Sequence, residues 1–183
     1  MKKNVIVSLA DSNYFELLNE LVDSIKSFEK SNDTAICILD AGLTSKQKMI
    51  LSKKVDEIKS AEWDIEVPAF KIKGKEWLKS QVSRAFLPKY FPNYEKYLWI
   101  DCDAWVNNWD SVELYFKACE NSKLGITQTM GPGYKIMSKA SFLALSTPIF
   151  DFIACLKFCD LIIASCPKTQ LTLDIILYPG VNV

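Results

Sequence analysis

The strongest constraint on this chain is a repeated alternation. Apolar runs rich in β-branched residues give way to stretches whose apolar positions recur three and four apart. "NVIVSLA" at 4–10 is such a run, and its continuity fits a strand covered on both faces. From Tyr14 to Phe28, Leu17, Leu18, Leu21, Val22, Ile25 and Phe28 mark one stripe of a helix that Asp11 or Ser12 can cap. "TAICILDAG" at 34–42 repeats the strand pattern, and "LTSKQKMILSKKVDEI" repeats the helical one, with Thr44 or Ser45 as its cap. A less regular strand is expected over 67–72, with Pro68 at its start, and a helix from Trp77 to about Tyr90, stopped by Pro92. "YEKYLWID" then returns to a buried strand, "SVELYFKACEN" to a short helix and "KLGITQT" to a strand. The alternation predicts an α/β sandwich around a mostly parallel sheet.

Sheets of that kind bind ligands beyond the carboxyl ends of their strands. Asp11, Asp40 and Asp101 all fall at such ends, so three segments carry acids to one rim. Within "YLWIDCDAWV" the alternation of side chains along a strand predicts Asp101 and Asp103 on one side and Cys102 on the other. Two carboxylates so placed suit a hard divalent ion, magnesium or manganese, whose remaining positions go to water or phosphate oxygens. The alternative is that one aspartate caps the following turn while the other is solvated. Asp40, in "LDAG", reads as structural.

A length of 183 residues suits one domain, and with 22 basic against 22 acidic residues there is no net field to recruit nucleic acid or an anionic surface. The apolar stretch before Asp11 is too short for a secretory signal, so no export is expected. Pro148, Asp151, Lys157 and Asp160 interrupt the longest apolar region well below the roughly 20 residues of a membrane span. The six cysteines show no compact framework and read as reduced thiols. There is no histidine, and Cys155, Cys159 and Cys166 lack the spacing of a zinc site. No G-x-G-x-x-G or G-x-x-x-x-G-K-[ST] loop follows any expected strand.

Four stretches in order, "LADSNYFELLNELVDSI", "CILDAGLTSKQKMIL", "SRAFLPKYFPNYEKYLWIDCD" and the D-x-D itself, resemble a family 8 glycosyltransferase of the GT-A fold, similar to bacterial lipopolysaccharide galactosyl- and glucosyltransferases. The resemblance spans roughly residues 4 to 106 and implies a Rossmann-like GT-A sandwich with a nucleotide-sugar-binding core over 1–130. Residues 131–183 are then an irregular apolar remainder of the same domain, and the C-terminal acceptor part is expected to be lacking. It also implies transfer of a hexose from a UDP-sugar to a glycan or lipid-linked glycan acceptor, with retention of configuration and a manganese or magnesium ion. The setting it implies is cytoplasmic, with peripheral contact at the inner face of the membrane.

Carried over by resemblance, Asp11 accepts from the uracil ring, Asn13 reaches the ribose and Tyr14 stacks on the base. Capping roles for Asp11 and Asn13, and a core role for Tyr14, remain the alternatives. Arg84 resembles the family arginine near the diphosphate and donor sugar, with a surface ion pair as the alternative; it is the single arginine beside 21 lysines. Asp101 and Asp103 correspond to the metal-binding acids, and Cys102 lies in the same cofactor-binding stretch. No catalytic nucleophile is assigned. The family's H-x-x-G-x-x-K-P-W segment, which supplies a third metal ligand, has no counterpart here, and "LYPGVNV" is only faintly similar to the family's "FNAGV". A catalytically silent nucleotide-sugar-binding or protein-interaction module is therefore the second expectation.

Overall fold

The computed structural model describes residues 2–66 and 69–120, together with the backbone of 125–126 and 162–165. The first apolar run forms β1 (Asn4–Ala10), and the stripe after it forms α1 (Phe15–Lys26). Of the expected stripe, Leu18, Leu21, Val22 and Ile25 are buried, with Phe15 added, while Leu17 faces solvent at 41% exposure. The chain continues through a short 3-10 turn, Glu29–Asp33, into β2 (Thr34–Asp40) and α2 (Ser45–Leu51). Thr44 caps α2: its hydroxyl accepts from the Gln47 N–H while the Gln47 side chain accepts from the Thr44 N–H.

Here the structure corrects the sequence reading. The helix expected to run through Ile58 stops at Leu51, and Glu57–Ser60 forms a third strand, β3, parallel to β2. Asp56 makes the turn into it, its N–H donating to the Ile36 carbonyl at 2.8 Å while its carboxylate accepts from the Ile36 N–H. The open edge of β2 thus captures a segment whose own periodicity favoured helix, and tertiary pairing overrides local preference.

The strand expected over 67–72 is absent from the part described: Ala69–Ile72 is a single helical turn, α3, and 67–68 lie outside the described residues. The helix expected from Trp77 to about Tyr90 is broken into a 3-10 turn (Glu76–Leu78), α4 (Lys79–Ser83) and α5 (Leu87–Tyr90). Pro88, in the first turn of α5, explains the break, because proline suits a helix start but has no N–H to donate to a carbonyl four residues earlier and its ring crowds that carbonyl. Then β4 (Lys96–Ile100) leads to α6 (Trp109–Ala118), capped by Asn108, whose side chain accepts from the Asp110 N–H. Two further strands, β5 (Gly125–Ile126) and β6 (Ile162–Ser165), complete the sheet. The rest of 131–183 lies outside the described residues.

The strand order is β3-β2-β1-β4-β6-β5, parallel from β3 through β4, with β6 antiparallel to both β4 and β5. Side-chain parity divides the interior in two. Ile6, Ala10, Ile36, Ile38, Leu98 and Ile100 face α1 and α6, whereas Val5, Val7, Leu9, Cys37, Leu39, Tyr97 and Trp99 face Leu87, Tyr90 and Phe91. Both faces of the sheet are covered, as the unbroken apolar runs require. Successive strands are laid outward from β1 to β2 to β3, and the order then reverses to place β4 on the other side of β1. That reversal is the topological switch point of the sheet, where ligands of open α/β sheets bind.

Candidate functional site

The carboxyl ends of β1 and β4 flank the switch point, and the parallel ladder fixes how they meet. Asn4 pairs with Lys96 and Val7 with Trp99, so Asp11, which follows β1, and Asp101, which follows β4, leave the sheet from adjacent strand ends. The turn at 11–14 is built on Asp11, whose Oδ1 accepts from the N–H groups of Asn13 at 2.8 Å and Tyr14 at 3.2 Å. The Asn13 amide also reaches Asp11 Oδ2, at 3.4 Å. Asp11 thus closes the turn that leads into α1, but the helix itself is not capped by Asp11 or Ser12: its N-cap is Tyr14, which has no side-chain capping hydrogen bond and is 47% exposed. A carboxylate has about four acceptor sites when ionised, so the turn does not exhaust it.

The neighbouring loop holds this turn in place. Ala41 N–H donates to the Ala10 carbonyl at 3.0 Å, and the Gln47 amide donates to the Ser12 carbonyl at 3.1 Å. Gly42 adopts φ +133°, a conformation L side chains rarely take, and a Cβ there would lie 3.9 Å from Asp11 Cβ. Asp40, also at the rim, is enclosed. Its carboxylate accepts from Gly42 N–H, Leu43 N–H and the Lys48 ammonium at 2.6–2.8 Å. Burial alone would raise its pKa, yet the Lys48 hydrogen bond and the two N–H donors together bring it below the usual aspartate value. Its role is to hold the β2 loop, in keeping with its structural reading from sequence.

β4 ends at Ile100, and residues 101–104 form a turn closed by Ala104 N–H on the Asp101 carbonyl at 3.0 Å. The strand's parity persists into it: Asp101 lies on the face of Trp99, and Cys102 packs against the α1 side of the core. Asp101 Oδ1 accepts from the Trp99 indole N–H at 2.6 Å and from Arg84 Nη2 at 3.3 Å. Arg84 is 4% exposed, so the surface ion pair considered from sequence does not describe it. Its guanidinium lies 5.1 Å from the Trp99 ring centroid, and its Nε donates to the Ser80 carbonyl at 2.9 Å. Asp103, within the turn, and Trp105, just after it, are exposed.

Burial, then the charges of Asp103 and Asp101 and more weakly that of Asp11, pushes the Cys102 thiol up to about 12. A thiol so held stays protonated at neutral pH and is neither a nucleophile nor a thiolate ligand. Among the described residues, no three His, Cys, Asp or Glu side chains gather as a metal-holding group. The donor chemistry of Asp101 and Asp103 nevertheless fits a divalent ion that takes its other ligands from phosphate and water.

Sequence reading passed over three residues that shape this rim: Trp99, Gln47 and Ser24. Trp99 was visible only as core, although its position two before Asp101 puts both on one strand face. Gln47 signalled its part through the T-x-x-Q spacing of a capping box. Ser24, buried in α1, accepts the Val106 N–H at 3.1 Å and ties down the segment after the acids, for which the sequence carries no signal.

Comparison with known proteins bears on this arrangement. No curated protein sequence matches the chain. Among solved structures, a galactosyltransferase, LgtC, in complex with donor and acceptor sugar analogues superposes with a TM-score of 0.59 at 17% identity, covering 90% of this chain and 58% of that one. The bifunctional glycosyltransferase WbbM superposes at 0.61 with 17% identity, covering 92% and 32%. A mannosyltransferase from Pyrobaculum calidifontis, in complex with GDP-mannose and Mn2+, superposes at 0.51 with 14% identity, covering 91% and 45%. The chain therefore spans little more than half the length of the first of these and less of the others, and at such identities the likeness establishes the fold. The sequence profile described as glycosyl transferase family 8 matches residues 5–144. With that match over most of its length, and with the related sheet, the chain belongs to glycosyl transferase family 8 and has the GT-A fold of sugar-transferring enzymes.

Proposed function

We propose that the switch-point rim binds the UDP portion of a nucleotide sugar. In the whole domain it would serve transfer of a hexose to a glycan acceptor of the lipopolysaccharide type, at the inner, cytoplasmic face of the membrane. The observation that carries this reading is the convergence of the Asp11–Tyr14 turn and the Asp101–Asp103 turn on adjacent strand ends. Tyr14 offers an exposed ring face to the base, Asp11 keeps acceptor capacity for a ring N–H, and the Asn13 amide can turn to a ribose hydroxyl. Asp101 and Asp103 would hold manganese or magnesium against the two phosphates. Such an ion, when bound, stabilises the charge that develops on a departing diphosphate. Arg84 adds positive charge at the same end of the rim from beneath Asp101.

Titration calorimetry with UDP, with and without manganese, tests the reading. UDP is expected to bind more tightly with the ion, Asp103→Ala to abolish that gain, and Tyr14→Ala to weaken binding by about 1–3 kcal/mol even without it, as lost aromatic–base stacking does. Absence of UDP binding under both conditions refutes it. A second reading is a binding module without turnover; among the described residues no third His, Cys, Asp or Glu joins the two acids. Release of UDP from a UDP-sugar separates the two readings.

A further inference from the structure

Asp101 is one of the two acids assigned to the cation, and its surroundings are unusual for a rim residue. Asp40, at the equivalent end of β2, is held by its own loop and by Lys48 from α2. In Asp101 a single oxygen, Oδ1, receives a short 2.6 Å hydrogen bond from the Trp99 indole and a 3.3 Å contact from the Arg84 guanidinium. Neither donor can drift. Trp99 is fully buried and Arg84 is 4% exposed. Arg84 is fixed at its other end by the Ser80 carbonyl and lies 5.1 Å from the indole ring centroid, so the donors brace each other. Arg84 closes α4 in helical conformation, so the helix itself sets the direction in which its side chain leaves the backbone.

We propose that Trp99 is a positioning residue for Asp101, its indole N–H fixing the carboxylate's orientation toward the diphosphate-bound cation, and that Arg84 acts through this carboxylate rather than on a phosphate. The proposal rests on the donor-binding reading above and adds to it the residues that set the metal ligand's geometry. Partners that orient metal ligands typically change metal affinity by about 10- to 100-fold when removed. The donor atom matters here more than the ring, because phenylalanine retains most of the apolar contact and loses only the N–H and part of the volume.

The test is carried out on the full chain. UDP affinity is measured by calorimetry with and without manganese for the wild type and Trp99→Phe, alongside thermal unfolding of each. Trp99→Phe is expected to keep metal-free UDP affinity and to lose about 10- to 100-fold of the manganese-dependent gain. A merely structural role would lower the unfolding midpoint while leaving the ratio of affinities with and without metal unchanged, and that result overturns the proposal. A wild-type chain that binds UDP without any manganese response overturns the metal-dependent reading, and this proposal with it, so the two failures are distinguishable. Should Trp99→Phe not fold, the wild type still decides. Manganese added with UDP is expected to broaden the Trp99 indole proton resonance strongly, and an unbroadened signal overturns the assignment.

Discussion

Asp40 and Asp101 show how one residue type at equivalent strand ends serves different ends. Asp40 uses its oxygens on the loop that follows it, on two backbone N–H groups and Lys48, while Asp101 receives side-chain donors from Trp99 and Arg84. The first arrangement has a consequence for pH. Because the folded-state pKa of Asp40 is lowered, its contribution to stability is fully present above the unfolded value, near 4, and is lost as pH falls through the folded value. Urea unfolding of the wild type is therefore expected to weaken below about pH 4, with a shallower decline in Asp40→Asn, which has no carboxylate to titrate. An identical slope in the two would show that other carboxylates dominate. At this scale the sequence was partly legible. The end-of-strand positions of Asp11, Asp40 and Asp101 followed from strand boundaries alone, whereas the burial of Arg84 rests on its long-range contacts with Trp99 and Asp101, which local pattern does not reveal.

At the scale of elements, legibility followed the sharpness of local signals. β1, α1, β2 and β4 carry continuous apolar runs or a clean stripe, and α2 begins at a complete capping box. The misread elements, β3 and the α3–α5 region, share a weaker pattern and a decisive long-range partner. β3 exists because β2 offers it an edge, and Lys59 on it reaches across to the Tyr90 carbonyl. α5 is joined to the segment after β3 by Tyr90, whose hydroxyl donates to Asp64 at 2.7 Å and accepts from the Glu62 N–H at 3.0 Å. Contacts between segments distant in sequence have no periodicity to betray them. The α1 link to the rim is of this kind. Ser24→Ala leaves the Val106 N–H without its buried acceptor and is expected to cost about 1–3 kcal/mol in chemical denaturation. A loss below about 0.5 kcal/mol would mean that water or a shifted turn replaces the hydroxyl.

For the whole molecule, the two cores on either side of a parallel sheet concentrate stability in β1, β2 and β4, each of which has buried residues on both faces. Amide hydrogen exchange is expected to be slowest in these strands and markedly faster in the Glu57–Ser60 edge strand, whose residues are only partly buried or exposed. Equal protection across all four parallel strands would contradict this hierarchy. The site then rests on the most stable part of the molecule, its acids projecting from strands that do not yield. The general architecture was readable because alternation and apolar continuity are global properties of a sequence, and Gly125–Ile126 falls within the strand expected at "KLGITQT"; the return of Ile162–Ser165 to pair with β4 was not readable.

That completion also sets an order of assembly. β4 has its parallel neighbour, β1, from the earliest part of the chain, but its other neighbour, β6, lies more than sixty residues downstream. As the polypeptide emerges from the ribosome, the strand bearing Asp101 has one flank dressed and the other bare until Ile162–Ser165 arrive. A bare strand flank invites pairing with other chains. The nascent protein is thus open to mispairing beside its candidate site, and the late strand acts as the seal.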